Sequence, residues 1–247
     1  MTGIMQMVAN NVAEFGYTPP DFVSSGLVAY YDPANSLSYS GTGSTFSDLS
    51  GNSNDGTIVG ATYTNSSYFS LDGTNDYIRS PNLYSDIGNP DTFSAGAWVY
   101  PTAAGVVLQV TSTPTPGLTY FFSALEFVGA GSPVPNFGLW GGAGIIKDTG
   151  SALSYNTWYH MVITYDATTL KGYINGAEVA SATVIFDSPH DDGLTVHHLL
   201  WGAGAVTNMG DGTYFNGRMG IIRVYDRALS GAEVTSNYNN AKSIYGL

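Results

Sequence analysis

The sequence has no cysteine and little positive charge, and each absence excludes a class of protein. Without thiols, neither a disulfide framework nor a thiolate metal site can form, so the fold depends on burying apolar side chains. The 247 residues contain 7 Lys and Arg against 19 Asp and Glu, which gives a formal net charge of -12. A surface of that sign repels phosphate backbones, and we expect no nucleic-acid partner.

Long apolar runs are also missing. No stretch approaches the roughly eighteen apolar residues that a membrane-spanning helix requires, so we expect no membrane insertion. Residues 1–16 have no basic n-region and no continuous apolar segment, and Asn10 and Asn11 interrupt their middle. That pattern differs from a secretory signal peptide, and none is expected. Transport out of a cell would need another route.

What the sequence does contain is typical of an all-β domain. Gly reaches 31 residues and Tyr 18, whereas charged residues make up only 11% of the chain. Short runs rich in Val, Ile, Tyr, Phe and Trp alternate with clusters of Gly, Asn, Asp, Pro and Ser, as in antiparallel strands joined by turns. About a dozen strands favour two large packed sheets. The runs predicted as strands are 27–31, 68–71, 77–79, 93–100, 106–111, 120–128, 136–140, 158–165, 171–174, 178–182, 197–202 and 217–225.

The first 22 residues depart from that pattern. They alternate little and end in Pro19 and Pro20, which predicts an arm, residues 1–22, that precedes a sandwich of residues 23–247. Apolar residues in the arm recur at roughly helical intervals, so a short amphipathic helix and a frayed terminus are both open. As a helix, the arm would serve docking or oligomerisation through Ile4, Met7, Val8, Val12 and Phe15.

The C-terminal segment contains a helix signal. Ser230 and Glu233 have the spacing of a capping box, in which each side chain bonds the backbone N–H of the other residue. The box predicts a short helix over residues 231–243, with Gly246 as its stop.

Five motifs follow one another along the chain. They are an opening strand at 26–32, an Asp- and Asn-rich loop at 48–56, the segment 69–78, a strand and turn at 158–176, and the segment 215–230. In this order and spacing they resemble the laminin-G-like family of concanavalin A-like jelly rolls. The resemblance implies a jelly-roll β-sandwich of two antiparallel sheets, with an extended N-terminal arm and a short C-terminal helix.

Two segments resemble one group of proteins within this family more than the others. Residues 27–60 and 239–247 look most like laminin-G-like proteins from the virions of tailed phages, marine phages in particular. This likeness implies a virion structural protein, either a capsid decoration or cement protein or a small fibre protein, assembled in the host cytoplasm. Its partners would be the major capsid protein or tail components, with self-association as a further option. Because the same fold hosts lectins, a glycan-binding adhesin that recognises host-surface glycans is the alternative.

The acidic residues offer little for catalysis. A retaining glycoside hydrolase needs two carboxylates about 5 Å apart. The chain has only Glu14, Glu126, Glu178 and Glu233, and none lies two to five residues from another acid in a predicted strand. The Gly-x-Ser-x-Gly elbow of serine hydrolases is absent as well. We expect no enzymatic activity, with glycoside hydrolysis at Glu126 as a distant third alternative.

Two acidic loops carry the oxygen ligands that a hard cation prefers. In the family that the sequence resembles, calcium often lies among such loops. The same clusters also form ordinary turns that bond their own backbone, so a structural calcium ion and a metal-free turn both stay open. The candidate ligands are Asp48, Asn52, Asn54 and Asp55 in one loop and Asp72, Asn75 and Asp76 in the other.

Glycan binding requires exposed aromatic rings, because sugar faces stack on rings while sugar hydroxyls need directional polar partners. Trp140 and Trp201 each have a neighbouring glycine that leaves room beside the ring. They are the candidates for glycan binding. Trp98 and Trp158 match core positions of the family pattern, and a core position is also open for Trp140 and Trp201.

Overall fold

Alternation of apolar and polar residues produces sixteen strands in the part of the chain that the structure, a computed structural model, describes. The described residues are 17–65, 67–87, 92–111, 123–128, 132–139, 144–146, 152–183, 198–203 and 214–247. The strands are β1 (Leu27–Tyr31), β2 (Thr45–Phe46), β3 (Gly56–Val59), β4 (Thr62–Thr64), β5 (Tyr68–Asp72), β6 (Tyr77–Arg79), β7 (Phe93–Pro101), β8 (Gly105–Thr111), β9 (Ser123–Val128), β10 (Val134–Leu139), β11 (Gly144–Ile146), β12 (Tyr159–Tyr165), β13 (Thr169–Ile174), β14 (Ala177–Thr183), β15 (His198–Trp201) and β16 (Asn216–Tyr225). The helices are α1 (Tyr84–Ile87), α2 (Gly231–Ala241) and a 3-10 helix (Lys242–Tyr245).

The strands form two eight-stranded sheets, and every strand pair is antiparallel. Sheet 1 has the order β14-β13-β12-β7-β16-β5-β4, and β1 also pairs with β16. Sheet 2 has the order β11-β10-β9-β8-β15-β6-β3-β2. The result is the jelly-roll-like sandwich that the sequence predicted. Large rings fill the space between the sheets, among them Phe46, Phe69, Phe127, Phe137, Trp201 and Phe215.

Each of the twelve predicted strands overlaps an observed one. The sequence reading omitted β2, β3, β4 and β11, which have only two to four residues each. A strand that short contains one or two alternations, too few to stand out as a period.

The predicted capping box begins helix α2. The Ser230 hydroxyl accepts the backbone N–H of Glu233, and the Glu233 carboxylate accepts that of Ser230 at 2.8 Å. The α-helix ends at Ala241, earlier than predicted, because the backbone tightens into the 3-10 helix and then stops at Gly246, whose φ is +75°. None of the helices in the described part of the chain has the length and apolar character needed to cross a membrane.

Residues 17–22, the described part of the predicted arm, lie against the sandwich. The Tyr17 hydroxyl donates to the Asp32 carboxylate at 2.6 Å, and the backbone N–H of Val23 donates to the Asn237 side chain in α2 at 2.9 Å. The described part of the predicted arm therefore contacts the sandwich. The candidate docking residues Ile4, Met7, Val8, Val12 and Phe15 lie outside the described residues.

Candidate functional site

A β-bulge in β16 brings two arginines to the same face of sheet 1. Arg218 pairs with Tyr100 and Arg223 with Gly96, yet β16 has one residue more than β7 between these pairs. Along an unbroken strand, an odd spacing would send the two side chains to opposite faces. The extra residue restores the common face, and both guanidinium groups lie on the outer side of the sandwich.

Arg218 lies among aromatic rings that are partly exposed. Its guanidinium carbon is 4.4 Å from the ring centroid of Tyr100 and 4.9 Å from that of Tyr68. The Trp158 ring lies 5.6 Å from Tyr100 and 5.7 Å from Tyr68, in edge-to-face arrangements. We call Tyr68, Tyr100, Trp158 and Arg218 the arginine–aromatic patch.

Exposed amide and hydroxyl groups border the patch. The Asn65 amide donates to the Tyr68 hydroxyl at 3.4 Å. On the other side, the Asn216 amide donates to the Asp72 carbonyl at 3.1 Å, and its oxygen accepts from the Thr102 hydroxyl at 2.7 Å. Such groups, placed around rings, are the usual partners of sugar hydroxyls.

The C-terminal rings cover the face between the two arginines. Tyr245 stacks on Trp98 with ring centroids 4.3 Å apart, and Tyr238 stacks on the same ring at 5.7 Å. The Tyr245 hydroxyl accepts the backbone N–H of Ile221, inside the bulge, at 2.8 Å. Trp158 lies 4.6 Å from Tyr245, so the patch is continuous with this stack.

Arg223 lies under that cover. Its guanidinium carbon is 4.8 Å from the Tyr30 ring and 5.1 Å from the Phe22 ring, and the residue is 4% exposed. Nearby Asp32 is fully buried and accepts hydrogen bonds from Tyr17 and from Tyr30. Burial raises the pKa of Asp32, although both phenol hydrogen bonds oppose the rise.

His160 lies beside Arg223 beneath helix α2. Both line a cavity of about 10 Å³, and within the described residues Nδ1 of His160 and Nε and Nη2 of Arg223 have no hydrogen-bond partner. Burial, with the nearby Arg223 charge, lowers the pKa of His160 to about 3. The imidazole is therefore neutral at pH 7. The cavity is about the size of one water molecule and far too small for a sugar.

Of the two tryptophans predicted to bind glycans, only Trp201 lies within the described residues. Trp201 is 0% exposed in the core between the sheets and presents no ring face to a ligand. Trp140 lies outside the described residues. Trp98 is buried as expected, but Trp158 is partly exposed in the patch. The sequence expectations for Trp158 and Trp201 are thus corrected.

The first predicted calcium loop is held together by hydrogen bonds. Oδ1 of Asp48 accepts the backbone N–H groups of Tyr30 and Ser50, and Oδ2 accepts the N–H of Asn54 and the Ser50 hydroxyl. Asp55 accepts the N–H of Asp48 at 2.8 Å. The amides of Asn52 and Asn54 turn inward and donate to carbonyls of β1.

The second loop bonds its own backbone in the same way. Asp72 accepts the N–H groups of Thr74 and Asn75, and Asp76 accepts that of Asp72. In the described ranges, no group of three His, Cys, Asp or Glu side chains is placed to hold a metal ion. These oxygens already serve the loops, and calcium binding stays a prediction.

The outer face of sheet 2 carries one acidic side chain among its described strands, Glu126. It alternates with the core residues Leu125 and Phe127, and it accepts a hydrogen bond from the Asn136 amide at 3.0 Å. Both members of this pair are 3% exposed. A retaining glycosidase needs a second carboxylate about 5 Å away.

The sequence matches the laminin G family model described as the concanavalin A-like lectin/glucanases superfamily over residues 72–235, well over half of the chain. The chain belongs to this superfamily. No curated protein matches the sequence.

Solved structures share the concanavalin A-like fold at low identity. Trypanosoma rangeli sialidase in complex with sialic acid has a TM-score of 0.65 and 18% identity, covering 98% of this chain and 38% of the sialidase chain. Domain 4 of AbnA, a GH43 extracellular arabinanase from Geobacillus stearothermophilus, in complex with arabinotriose, has a TM-score of 0.58 and 21% identity, covering 87% and 98%. The botulinum neurotoxin serotype D binding domain has a TM-score of 0.55 and 15% identity, covering 88% and 52%. The chain thus spans less than half of the sialidase.

Proposed function

We propose that this protein is a non-catalytic carbohydrate-binding domain and that the arginine–aromatic patch holds the glycan. The observation that carries the proposal is the group of three partly exposed rings around Arg218. Ring faces stack on the apolar faces of sugars, while the guanidinium and the bordering amides bond sugar oxygens. The fold supports this function, because the AbnA domain and the T. rangeli sialidase were each solved with a bound carbohydrate.

Absence of turnover is part of this proposal. The patch contains no carboxylate, and Glu126 of sheet 2 is already bonded to Asn136. Release of reducing sugar from a bound glycan, abolished by Glu126→Ala, would contradict a non-catalytic role.

The test is a glycan array followed by titration calorimetry of the bound glycans. Trp158→Ala should weaken binding by about tenfold, since loss of one stacking ring costs roughly 1.4 kcal/mol. Tyr214→Ala is the matched control, because Tyr214 is also partly exposed but lies next to sheet 2. If Tyr214→Ala weakens glycan binding and Trp158→Ala does not, the binding site lies on sheet 2 and the proposal for the patch is wrong.

The setting that we propose is the surface of a tailed-phage virion, where the domain would be a capsid decoration or cement protein or a small fibre protein. The resemblance of segments 27–60 and 239–247 to such virion proteins supports it. The patch would then face the host, and residues 1–16 would dock on the major capsid protein or a tail component.

High-resolution imaging of the native particle tests this setting. Ordered copies at lattice or tail positions would support it, and purified particles without the protein would contradict it. Deleting residues 1–16 should remove the copies while glycan binding by the free protein persists. If the shortened protein still occupies the particle, the docking role of these residues is wrong.

A further inference from the structure

Among the described residues, Arg218 has no anionic partner. The two salt bridges found there join Lys171 with Glu178 and Arg227 with Glu233. On the adjacent strand β5, Asp72 directs Oδ1 to the backbone of its own turn, with the Thr74 N–H at 2.7 Å. A partly exposed arginine without a described anionic partner stands out in a chain with 19 acidic and 7 basic residues.

The rings beside Arg218 orient its guanidinium. Tyr100 and Tyr68 both lie within 5 Å of its central carbon, at 4.4 and 4.9 Å. A cation–π contact of this kind does not use up the N–H groups of a guanidinium as hydrogen-bond donors. No hydrogen bond from the Arg218 guanidinium to a described residue is found. A guanidinium carries a fork of two parallel donors, which is the geometry that binds a carboxylate with two hydrogen bonds.

A neutral sugar does not need such a fork. Its hydroxyls are served by amides and hydroxyls like those of Asn65, Thr102 and Asn216, which already border the patch. A carboxylate-bearing sugar uses both parts of the site, since its ring stacks on an aromatic face while its carboxylate pairs with the guanidinium.

We propose that the patch selects glycans that carry a carboxylate, the class of uronic and sialic acids, with the sugar ring on Trp158 and the carboxylate on Arg218. This specificity rests on the proposed carbohydrate-binding function and adds a substrate class to it. The pairing is local, so it operates in spite of the net charge of -12, whose long-range repulsion is screened within about 8 Å at 0.15 M salt.

The test compares acids with esters that lack the carboxylate charge: trigalacturonic acid with its methyl ester, and 3′-sialyllactose with its methyl ester as a second pair. Calorimetry at 0.15 M salt should give at least tenfold tighter binding for the acid of at least one pair, as a bidentate charged hydrogen bond predicts. Arg218→Gln should remove that preference, because the affinity for the acid should fall at least tenfold more than the affinity for its neutral partner.

Each other outcome has a definite meaning. Equal binding of acid and neutral ligands, or an equal loss for both in Arg218→Gln, overturns the specificity while glycan binding itself stands. Failure of both pairs to bind, in a protein that binds neutral glycans on the array, overturns it too. If no glycan of any kind binds, the proposed function fails as well. Arg79→Gln is the control, because Arg79 is a partly exposed arginine of sheet 2.

Discussion

Arg218 and Arg223 lie on one strand and one face of it, and each guanidinium lies over two aromatic rings. The two arginines differ in what packs over them on the outer face of sheet 1. Residues 17–22 and helix α2 cover Arg223, whereas Arg218 stays half-exposed. Because charges interact more strongly where water is excluded, the charge of the covered arginine favours the charged form of buried Asp32, although the two form no salt bridge. The open arginine is the one that we propose binds a ligand. Under this proposal, cover distinguishes the arginine that stabilises the fold from the one that binds.

The largest effect that this comparison predicts is on stability. Arg223→Met removes a buried cation that lies over Phe22 and Tyr30 and favours the charged form of Asp32, and we expect a loss of about 3 kcal/mol in the free energy of unfolding. Urea denaturation at pH 7 measures it. Arg218→Met is the matched control and should cost less than about 1 kcal/mol. If both variants lose the same free energy of unfolding, the covered and the open arginine do not differ in their contribution to stability. Adding Asp32→Asn to Arg223→Met should restore part of the lost stability.

The second prediction concerns acid. Burial lowers the pKa of His160 to about 3 in the folded protein. Below pH 6.5, His160 is therefore protonated in the unfolded chain but still neutral in the folded one. Stability from this group is complete above pH 6.5 and is lost as the pH falls towards 3, by roughly 3 kcal/mol between pH 6.5 and 4. Urea midpoints measured across that range should fall less steeply in His160→Gln. If the urea midpoints of the original protein and of His160→Gln fall equally with pH, burial does not keep His160 neutral and the prediction is wrong.

The third and smallest predicted effect tests the cover itself. A Cβ on Gly220 would come within 2.7 Å of the Tyr245 ring, so Gly220→Ala should displace that ring from Trp98 and cost about 1–3 kcal/mol. Tryptophan fluorescence and urea denaturation report the change. Gly231→Ala is the control, because a Cβ there meets Tyr173 at 3.7 Å, an ordinary contact. An unchanged fluorescence spectrum in Gly220→Ala would mean that the position of the Tyr245 ring on Trp98 does not depend on the bulge.

Features that depend on neighbouring residues could be predicted from the sequence. The capping box joins Ser230 and Glu233, three residues apart, so its geometry follows from spacing alone. Twelve of the sixteen described strands could be predicted from runs of neighbouring residues in the same way. The acidic loop at Asp48 was identified as a polar cluster, but one of its hydrogen-bond donors, Tyr30, comes from another strand and cannot be read from the loop.

The candidate site could not be predicted from the sequence, because it depends on which strand faces pack against the core and which stay open to solvent. Alternation assigns Trp158 and Trp201 to faces of their own strands, yet it does not say that one face meets the core and the other meets solvent. The common face of Arg218 and Arg223 depends on one extra residue in β16, and only the pairing with β7 reveals it.

The pairing of β1 with β16 also has a consequence for synthesis of the protein. β1 is complete at residue 31, but its partner begins at residue 216, and the Val23 contact with α2 requires Asn237. β1 therefore cannot pair with its neighbour in sheet 1 until residues 216–225 have emerged from the ribosome. Long-range pairing of this kind is slow and exposes strands to association, so folding of sheet 1 should be delayed until that stage of synthesis.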